Sequence, residues 1–194
     1  MKEMLARLIT NVINPFLASV IVIVLLAFRG TDSAGEALKW AAIAVALSVA
    51  PVLAAVIYLV RRKKLDGVFT NPRQQRTIIY LFACVLAAAG YIVLWRLGAP
   101  VLLAATFAAG LASIVIFLAI NLYWKISLHT AFIAGAVTIL VIVYGGMTAW
   151  TVLLLFPVAW ARITLGQHTP AQAAAGALLA AGIVLGVFWG YGVV

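Results

Sequence analysis

Few residues in this 194-residue chain can do chemistry. It has two histidines, His129 and His168, one cysteine, four carboxylates and thirteen lysines and arginines. Both histidines fall in short polar stretches set between long apolar runs. One is KISLH, residues 125–129, and the other is ARITLGQHTPAQ, residues 161–172. A third polar stretch, RRKKLDGVFTNPRQQR, covers residues 61–76. Two apolar segments separate each stretch from the next, so all three are expected to return to one face of a membrane. Imidazole can serve as nucleophile or as general acid and base near neutral pH. Arg73, Arg76, Lys125 and Arg162 can hold the non-bridging oxygens of a phosphoryl group. Asp66 is the only carboxylate on this face beyond the N-terminal Glu3. A divalent-metal site needs several carboxylate or histidine ligands. The pattern therefore points to phosphoryl chemistry with no metal and no other cofactor.

Helix ends supply the positioning. Ser127 is a good N-cap and would place His129 in the first turn of the helix it starts. Thr169 followed by Pro170 is a second helix start, with His168 just before it. Both helices would aim N–H groups and a positive dipole end at the same face, where an anion is favoured.

The rest of the chain is built to span a bilayer. Residues of the apolar set make up 67% of it and charged residues 9%, against about 25% charged in an average domain. This excludes a soluble enzyme, a disordered tail and a secreted disulfide scaffold. Cys84 has no second cysteine to pair with. Seven apolar segments are expected, at 12–28, 38–60, 77–95, 101–124, 130–144, 148–163 and 170–194. Each must be helical, because lipid offers no partner for a backbone N–H or C=O. The expected fold is thus an all-α polytopic membrane bundle of six to seven helices, forming one domain over residues 1–194. Pro51 predicts a kink in the second segment. The sixth is short and carries Pro157, which suits a tilted, broken or re-entrant pass. The N-terminal residues, with Lys2 and Arg7, look like a signal-peptide start but lack a small-residue cleavage site, so they are read as part of an anchor. Gly182, Gly186 and Gly190 form a small-residue stripe suited to close packing. Trp40, Trp95, Trp124, Trp150 and Trp160 sit near segment ends, as an interfacial belt does.

Charge sorts by loop. One face carries ten Lys and Arg against Glu3 and Asp66; the other carries Arg29, Lys39 and Arg96 against Asp32 and Glu36. The positive-inside rule puts the first face in the cytoplasm. Without Arg73, Arg76, Lys125 and Arg162 that face still holds six cations against two acids. The net positive charge marks membrane topology and anion sites rather than a nucleic-acid partner. Arg61 to Lys64 are most simply a topology signal or a contact with anionic lipid. Asp66 and Asn71 are expected to do no more than shape the loop turn.

These residues together resemble the type 2 phosphatidic acid phosphatase family, membrane-embedded relatives of the vanadium haloperoxidases. That family carries three motifs: Lys, six residues, Arg-Pro; then Pro-Ser-Gly-His; then Ser-Arg, five residues, His, three residues, Asp. The third fits best, with Arg162, five residues and His168, and with Gly166 and Pro170 in familiar places. Ala161 stands where Ser is usual and Gln172 where Asp is usual. Ser127 and His129 match the second motif, with Ile126 and Leu128 replacing Pro and Gly. In the first, Arg76 can be the motif Arg, Thr77 follows it, and Phe69 occupies the Lys position. NPRQQR resembles the Asn-Arg-x-x-Arg form of divergent members, with Arg73 supplying the missing cation. The resemblance covers residues 61–194, the expected phosphatase-like core.

The resemblance implies that His168 attacks phosphorus and that His129 protonates the leaving oxygen and then activates water. Arg162, Arg73, Arg76 and Lys125 would hold phosphate oxygens, and Ser127 would add a neutral donor. Gln172 would orient His168 through its amide oxygen, without the negative charge an Asp brings. The implied activity is that of a lipid phosphatase acting on a polyprenyl phosphate or diphosphate or a phosphatidate-type lipid. Other readings are a degenerate relative that binds phospholipid head groups without turnover, and a small lipid or anion translocator. The translocator would need an opening on both faces, and the far face has few polar residues. Haem ligation by the two histidines has no other support in the sequence, and two histidines with a distant Cys84 make no zinc ligand set.

Overall fold

Long apolar runs with helix-start residues at their ends form helices throughout. A computed structural model of the chain describes residues 1–69 and 72–194. Thr70 and Asn71, the latter expected to shape the loop turn, lie outside the described residues. The helices are α1 (Lys2–Val12), α2 (Pro15–Arg29), α3 (Ala34–Leu47), α4 (Val49–Arg61), α5 (Arg73–Arg96), α6 (Val101–Asn121), α7 (Leu128–Tyr144), α8 (Leu155–Thr164) and α9 (Pro170–Gly190). A 3-10 helix, Gly145–Leu154, joins α7 to α8. Among the described residues there is no β-strand. Among the described residues, six helical runs are long and apolar enough to cross a membrane: Lys2–Arg29, Ala34–Arg61, Arg73–Arg96, Val101–Asn121, Leu128–Thr164 and Pro170–Gly190. The chain is an all-helical, multi-pass membrane protein. Large apolar side chains such as Leu81, Val85, Leu178 and Trp189 are exposed, as a lipid-facing surface requires.

The helices group into two compact units, Met1–Val22 with Lys125–Val194, and Ile23–Trp124. Residues 61–194 contribute to both.

In the first unit, α7 lies along α9, and α8 packs on α1. The run Leu128–Thr164 is not one straight rod. Gly145 has φ +76°, a conformation that costs an L side chain dearly and glycine little, and it ends α7. Val158 of α8 then packs with Ile133 and Val137 of α7. In a straight helix Ile133 and Val158 would stand about 37 Å apart at 1.5 Å per residue, so the chain doubles back at Gly145. Ile9 and Ile13, at the end of α1, pack on the same cluster. Pro157 falls in the first turn of α8, where proline is tolerated.

Pairing of α7 with α9 depends on small side chains. The buried face of α9 is Ala173, Gly176, Ala180, Val184 and Phe188. A Cβ on Gly176 would stand 2.7 Å from the carbonyl oxygen of Ser127, so only hydrogen fits there. The stripe expected to pack, Gly182, Gly186 and Gly190, faces open space, with nothing within 4 Å of a Cβ at any of the three. The expectation of close packing there is corrected. α9 is apolar all round, so composition does not reveal which of its stripes meets a neighbour.

In the second unit, α5 packs along α6, and α3 and α4 lie against α5. α3 ends at Leu47 and α4 begins at Val49. Proline at 51 lacks an N–H for the carbonyl of Leu47 and its ring crowds that oxygen, which accounts for the break. Gly90 of α5 admits Phe107 of α6, since a Cβ there would meet the ring at 2.9 Å. Trp95, Trp124, Trp150 and Trp160 are exposed, as expected of a belt, but Trp40 is buried. Lys39 lies 5.4 Å from the Trp40 ring centroid.

Candidate active site

The polar residues of the first unit gather where α7 begins, α8 ends and α9 begins. Ser127 is the N-cap of α7, its hydroxyl accepting from the N–H of Thr130 at 3.4 Å. Its own N–H donates to the carbonyl of Gln172 at 3.3 Å. Thr130, one turn into α7, donates its hydroxyl to the carbonyl of Ala173 at 2.9 Å. The first turns of α7 and α9 are therefore stitched together by hydrogen bonds. His129 sits between the two stitching residues, 3% exposed.

The end of α8 is a helix stop of a recognisable kind. Gly166 takes φ +65°. The N–H of Gly166 then meets the carbonyl of Ile163 at 2.9 Å and that of Gln167 meets Arg162 at 3.1 Å, the Schellman pattern. One residue later, the N–H of His168 also reaches the Arg162 carbonyl, at 3.3 Å. The five-residue spacing between Arg162 and His168 is thus the length of a helix stop that folds the chain back on its last turn. Both are buried, Arg162 to 3% exposure and His168 to 8%. The Nε and Nη1 atoms of Arg162 and the Nε2 atom of His129 are sealed from solvent.

α9 opens with a full capping box. The Thr169 hydroxyl accepts from the N–H of Gln172, and Gln172 Oε1 accepts from the N–H of Thr169, each at 3.2 Å. His168 Nδ1 lies 3.2 Å from the same Oε1. The backbone N–H of Thr169 can only meet an oxygen, which fixes the amide orientation. His168 Nδ1 must then be the donor, so in the neutral imidazole the lone pair resides on Nε2.

Of the other expected residues, Lys125 is half-buried and belongs to this unit. Arg73 and Arg76 belong to the second unit. Arg73, at the start of α5, donates to the carbonyl of Tyr123 at 3.0 Å. Arg76 is buried, donates to the Tyr80 hydroxyl at 3.0 Å and lies 5.7 Å from that ring's centroid. Phe69 is half-buried. Three residues that order these ends were not singled out from sequence. Thr130 and Gly176 set the α7–α9 contact. Asn121 links α6 to α5, its amide donating to the Arg73 carbonyl at 3.3 Å and to Thr77 Oγ1 at 3.1 Å. The signal for Thr130 was present: it is a hydroxyl three residues after a cap, in the run SLHT.

Charge in the first unit is one-sided, since Glu3 is its only carboxylate side chain. Among the described residues, no three His, Cys, Asp or Glu side chains come together as a metal-ligand group. No protein-family model, no curated protein and no solved structure matches the chain.

Proposed function

We propose that the protein is a metal-independent membrane lipid phosphatase with a phosphohistidine mechanism. The observation that carries this reading is the joining of the α7 and α9 starts, Ser127 N–H to Gln172 carbonyl at 3.3 Å. It gathers two buried histidine-bearing helix ends beside the end of α8 that carries Arg162. A basic set of helix ends poor in carboxylates favours an anion. The resemblance to the type 2 phosphatidic acid phosphatases gives the assignment of roles.

In this mechanism His168 Nε2 attacks phosphorus. The bond from phosphorus to the leaving oxygen breaks, which is the lipid hydroxyl oxygen of a monoester or the bridging oxygen of a diphosphate, and protonated His129 supplies that oxygen with a proton. Water then attacks the phosphohistidine, giving its proton to His129, and the P–N bond breaks to release inorganic phosphate and the free imidazole. Arg162 and Lys125, with Ser127 and the helix N–H groups, offset charge on the non-bridging oxygens. The Nδ1–H donated to Gln172 holds the imidazole in the tautomer that leaves Nε2 nucleophilic. A neutral amide stabilises the resulting cation less than a carboxylate would. The reading therefore favours a substrate with a good leaving group, such as a polyprenyl diphosphate, over a phosphatidate-type monoester. The lipid tail stays in the bilayer while the head enters from the basic face, and the excess of Lys and Arg in its loops supports placing that face on the cytoplasmic side of a cell membrane.

A second reading has an observation of its own. Gln172 completes the capping box of α9 whether or not His168 reacts. That structural duty suits a relative that binds phosphorylated head groups without turnover.

Phosphate release by the purified protein in detergent, from a panel of lipid phosphates and diphosphates with chelator present, separates the two. The phosphatase reading expects release that His168→Ala and His129→Ala abolish. Head-group binding with no release from any substrate would establish the second reading, and loss of activity on chelation would defeat metal independence. Sidedness is read by placing a single cysteine at Asp66 in a Cys84→Ser background. Reaction with an impermeant reagent in intact cells would overturn the cytoplasmic assignment.

A further inference from the structure

The second unit contains a feature that the phosphatase reading does not use. Between α4 and α5 runs an apolar groove of about 230 Å³, lined by Val52, Ala55, Tyr58 and Leu59 from α4 and by Ile78 and Phe82 from α5, among others. The lining has almost no polar surface. On α4 the lining residues recur over two turns and approach the helix end at Arg61. On α5 they begin one turn in from Arg73. One end of the groove therefore opens toward the loop that joins the two helices, where Arg61 ends α4 and Arg62, Lys63 and Lys64 follow.

Tyr58 ties the apolar and cationic parts together. Its ring lines the groove, and the Arg62 guanidinium carbon lies 5.4 Å from its centroid. The one carboxylate of the loop, Asp66, is engaged by Gln75, which donates to Asp66 Oδ1 and accepts from its backbone N–H, each at 3.1 Å. The chain also bears a conformational cost to present these cations. Lys63 has φ +56° and occupies the left-handed position of a helix stop. Lys63 N–H meets the Val60 carbonyl and Lys64 N–H the Leu59 carbonyl, each at 2.9 Å. Glycine is the usual residue there, and this chain keeps a lysine.

We propose that the α4–α5 groove and the Arg61–Lys64 cluster form a binding site for one anionic phospholipid. An acyl chain lies in the groove, against Ala55 and Phe82, and the head-group phosphate meets Arg61 and Arg62 at the mouth. Charge complementarity selects the occupant. Any lipid tail can cover an apolar groove in a bilayer, but four cations at its mouth favour a negatively charged head. The site shares no residue with the proposed catalytic set, His168, His129 and Arg162. A phosphodiester head such as phosphatidylglycerol would be held without being a substrate of a phosphomonoesterase or diphosphatase.

The test is native mass spectrometry of the delipidated full-length protein, offered phosphatidylglycerol and phosphatidylcholine of equal chain length. The proposal expects one phosphatidylglycerol retained in preference to phosphatidylcholine. Substituting Gln at Arg61, Arg62, Lys63 and Lys64 together should weaken retention at least about tenfold, given the contribution of each cation near an anionic surface. Ala55→Phe, which fills the groove and leaves the charges, should weaken it comparably. His168→Ala and His129→Ala should leave it unchanged, which separates this site from the proposed catalytic one. Equal retention of the two lipids, retention that survives both groove and charge variants, or loss in the histidine variants would each overturn the proposal.

Discussion

Replacing Gly176 with alanine tests the architecture of the candidate site without touching a chemical group. The added Cβ would stand 2.7 Å from the Ser127 carbonyl oxygen, 3.0 Å from Ile126 Cγ2 and 3.1 Å from Thr130 Oγ1. Ordinary contact begins at 3.4 Å, so α9 must withdraw from the start of α7 by about 0.7 Å along the tightest line. The nearest obstacle is backbone at a helix cap and has no rotamer in which to escape. Two bonds cross this contact, Ser127 N–H to Gln172 at 3.3 Å and Thr130 hydroxyl to Ala173 at 2.9 Å. Stretching them toward breakage costs about 1–3 kcal/mol for each buried group left unsatisfied. Alanine recovers about 1 kcal/mol of helix propensity. A net loss of roughly 1–5 kcal/mol is expected.

The same shift should be felt in catalysis. A displacement approaching 1 Å in a reacting constellation can cost about a hundredfold in rate. The control is Gly182→Ala on the same helix, where a Cβ meets nothing within 4 Å and propensity alone should leave stability equal or slightly raised. Thermal unfolding in detergent and phosphate release are measured on both variants. If Gly176→Ala matches Gly182→Ala in melting temperature and in activity, the close contact is not what orders the site, and the reasoning fails.

Three further outcomes follow from individual contacts. Gln172→Glu keeps the side-chain length and the capping box and puts a carboxylate beside His168 Nδ1, so phosphate release from monoesters should rise at least about tenfold, a part of the effect of a charged orienting group; an unchanged rate would show that the amide does not limit turnover. Lys63→Gly relieves a left-handed side chain and should stabilise the fold by about 1 kcal/mol, read as a higher melting temperature; a lower one would mean that the lysine side chain contributes more than its backbone costs. Asn121→Leu removes both amide donations to α5, while the Arg73 carbonyl keeps the Thr77 hydroxyl as a donor, for an expected loss of about 0.5–1.5 kcal/mol; hydrogen exchange over the first turns of α5 should rise, and no change there would dismiss the bridge.

Much of the fold is legible in the apolar runs, and the departures from the expected segments have physical causes. The sixth segment, sixteen residues at 148–163, would reach only about 24 Å as an α-helix. The structure begins the pass earlier and winds Gly145–Leu154 as a 3-10 helix, which rises about 2.0 Å per residue. With α8 added the pass reaches about 35 Å, enough for a hydrocarbon core of about 30 Å. Threonine hydroxyls suit this tighter winding: Thr148 donates to the Gly145 carbonyl at 3.0 Å and Thr151 to that of Thr148 at 2.6 Å. The doubled glycine at 145–146 signals the reversal, but nothing local announces so long a 3-10 run. At the other end of the chain, α1 is a helix in its own right, split from α2 at Asn14. The signal was Asn14–Pro15, in which the Asn14 side chain accepts from the N–H of Leu17 at 3.0 Å and proline opens the helix.

The candidate site was legible for a different reason, which also limits what spacing alone can mean. Arg162, five residues and His168 is the span of a Schellman stop, and His168 to Gln172 is the entry to a capping box. Any chain that stops one helix on glycine and starts the next on Thr-Pro would hold these positions alike, whatever side chains they carried. The weight therefore rests on which side chains occupy the scaffold and on the partner it meets, the Ser127 cap with its neighbour His129. The shared hydrogen bond makes this distinction measurable. Gln172 Oε1 serves the α9 cap and the His168 ring at once, so Gln172→Ala should lower stability by about 1 kcal/mol and phosphate release together. His168→Ala keeps the backbone N–H bond to the Arg162 carbonyl and the Thr169–Gln172 capping box. It should abolish release with the melting temperature nearly unchanged. If the two variants lose stability equally, His168 is held as part of the fold, and the head-group-binding reading gains over the catalytic one.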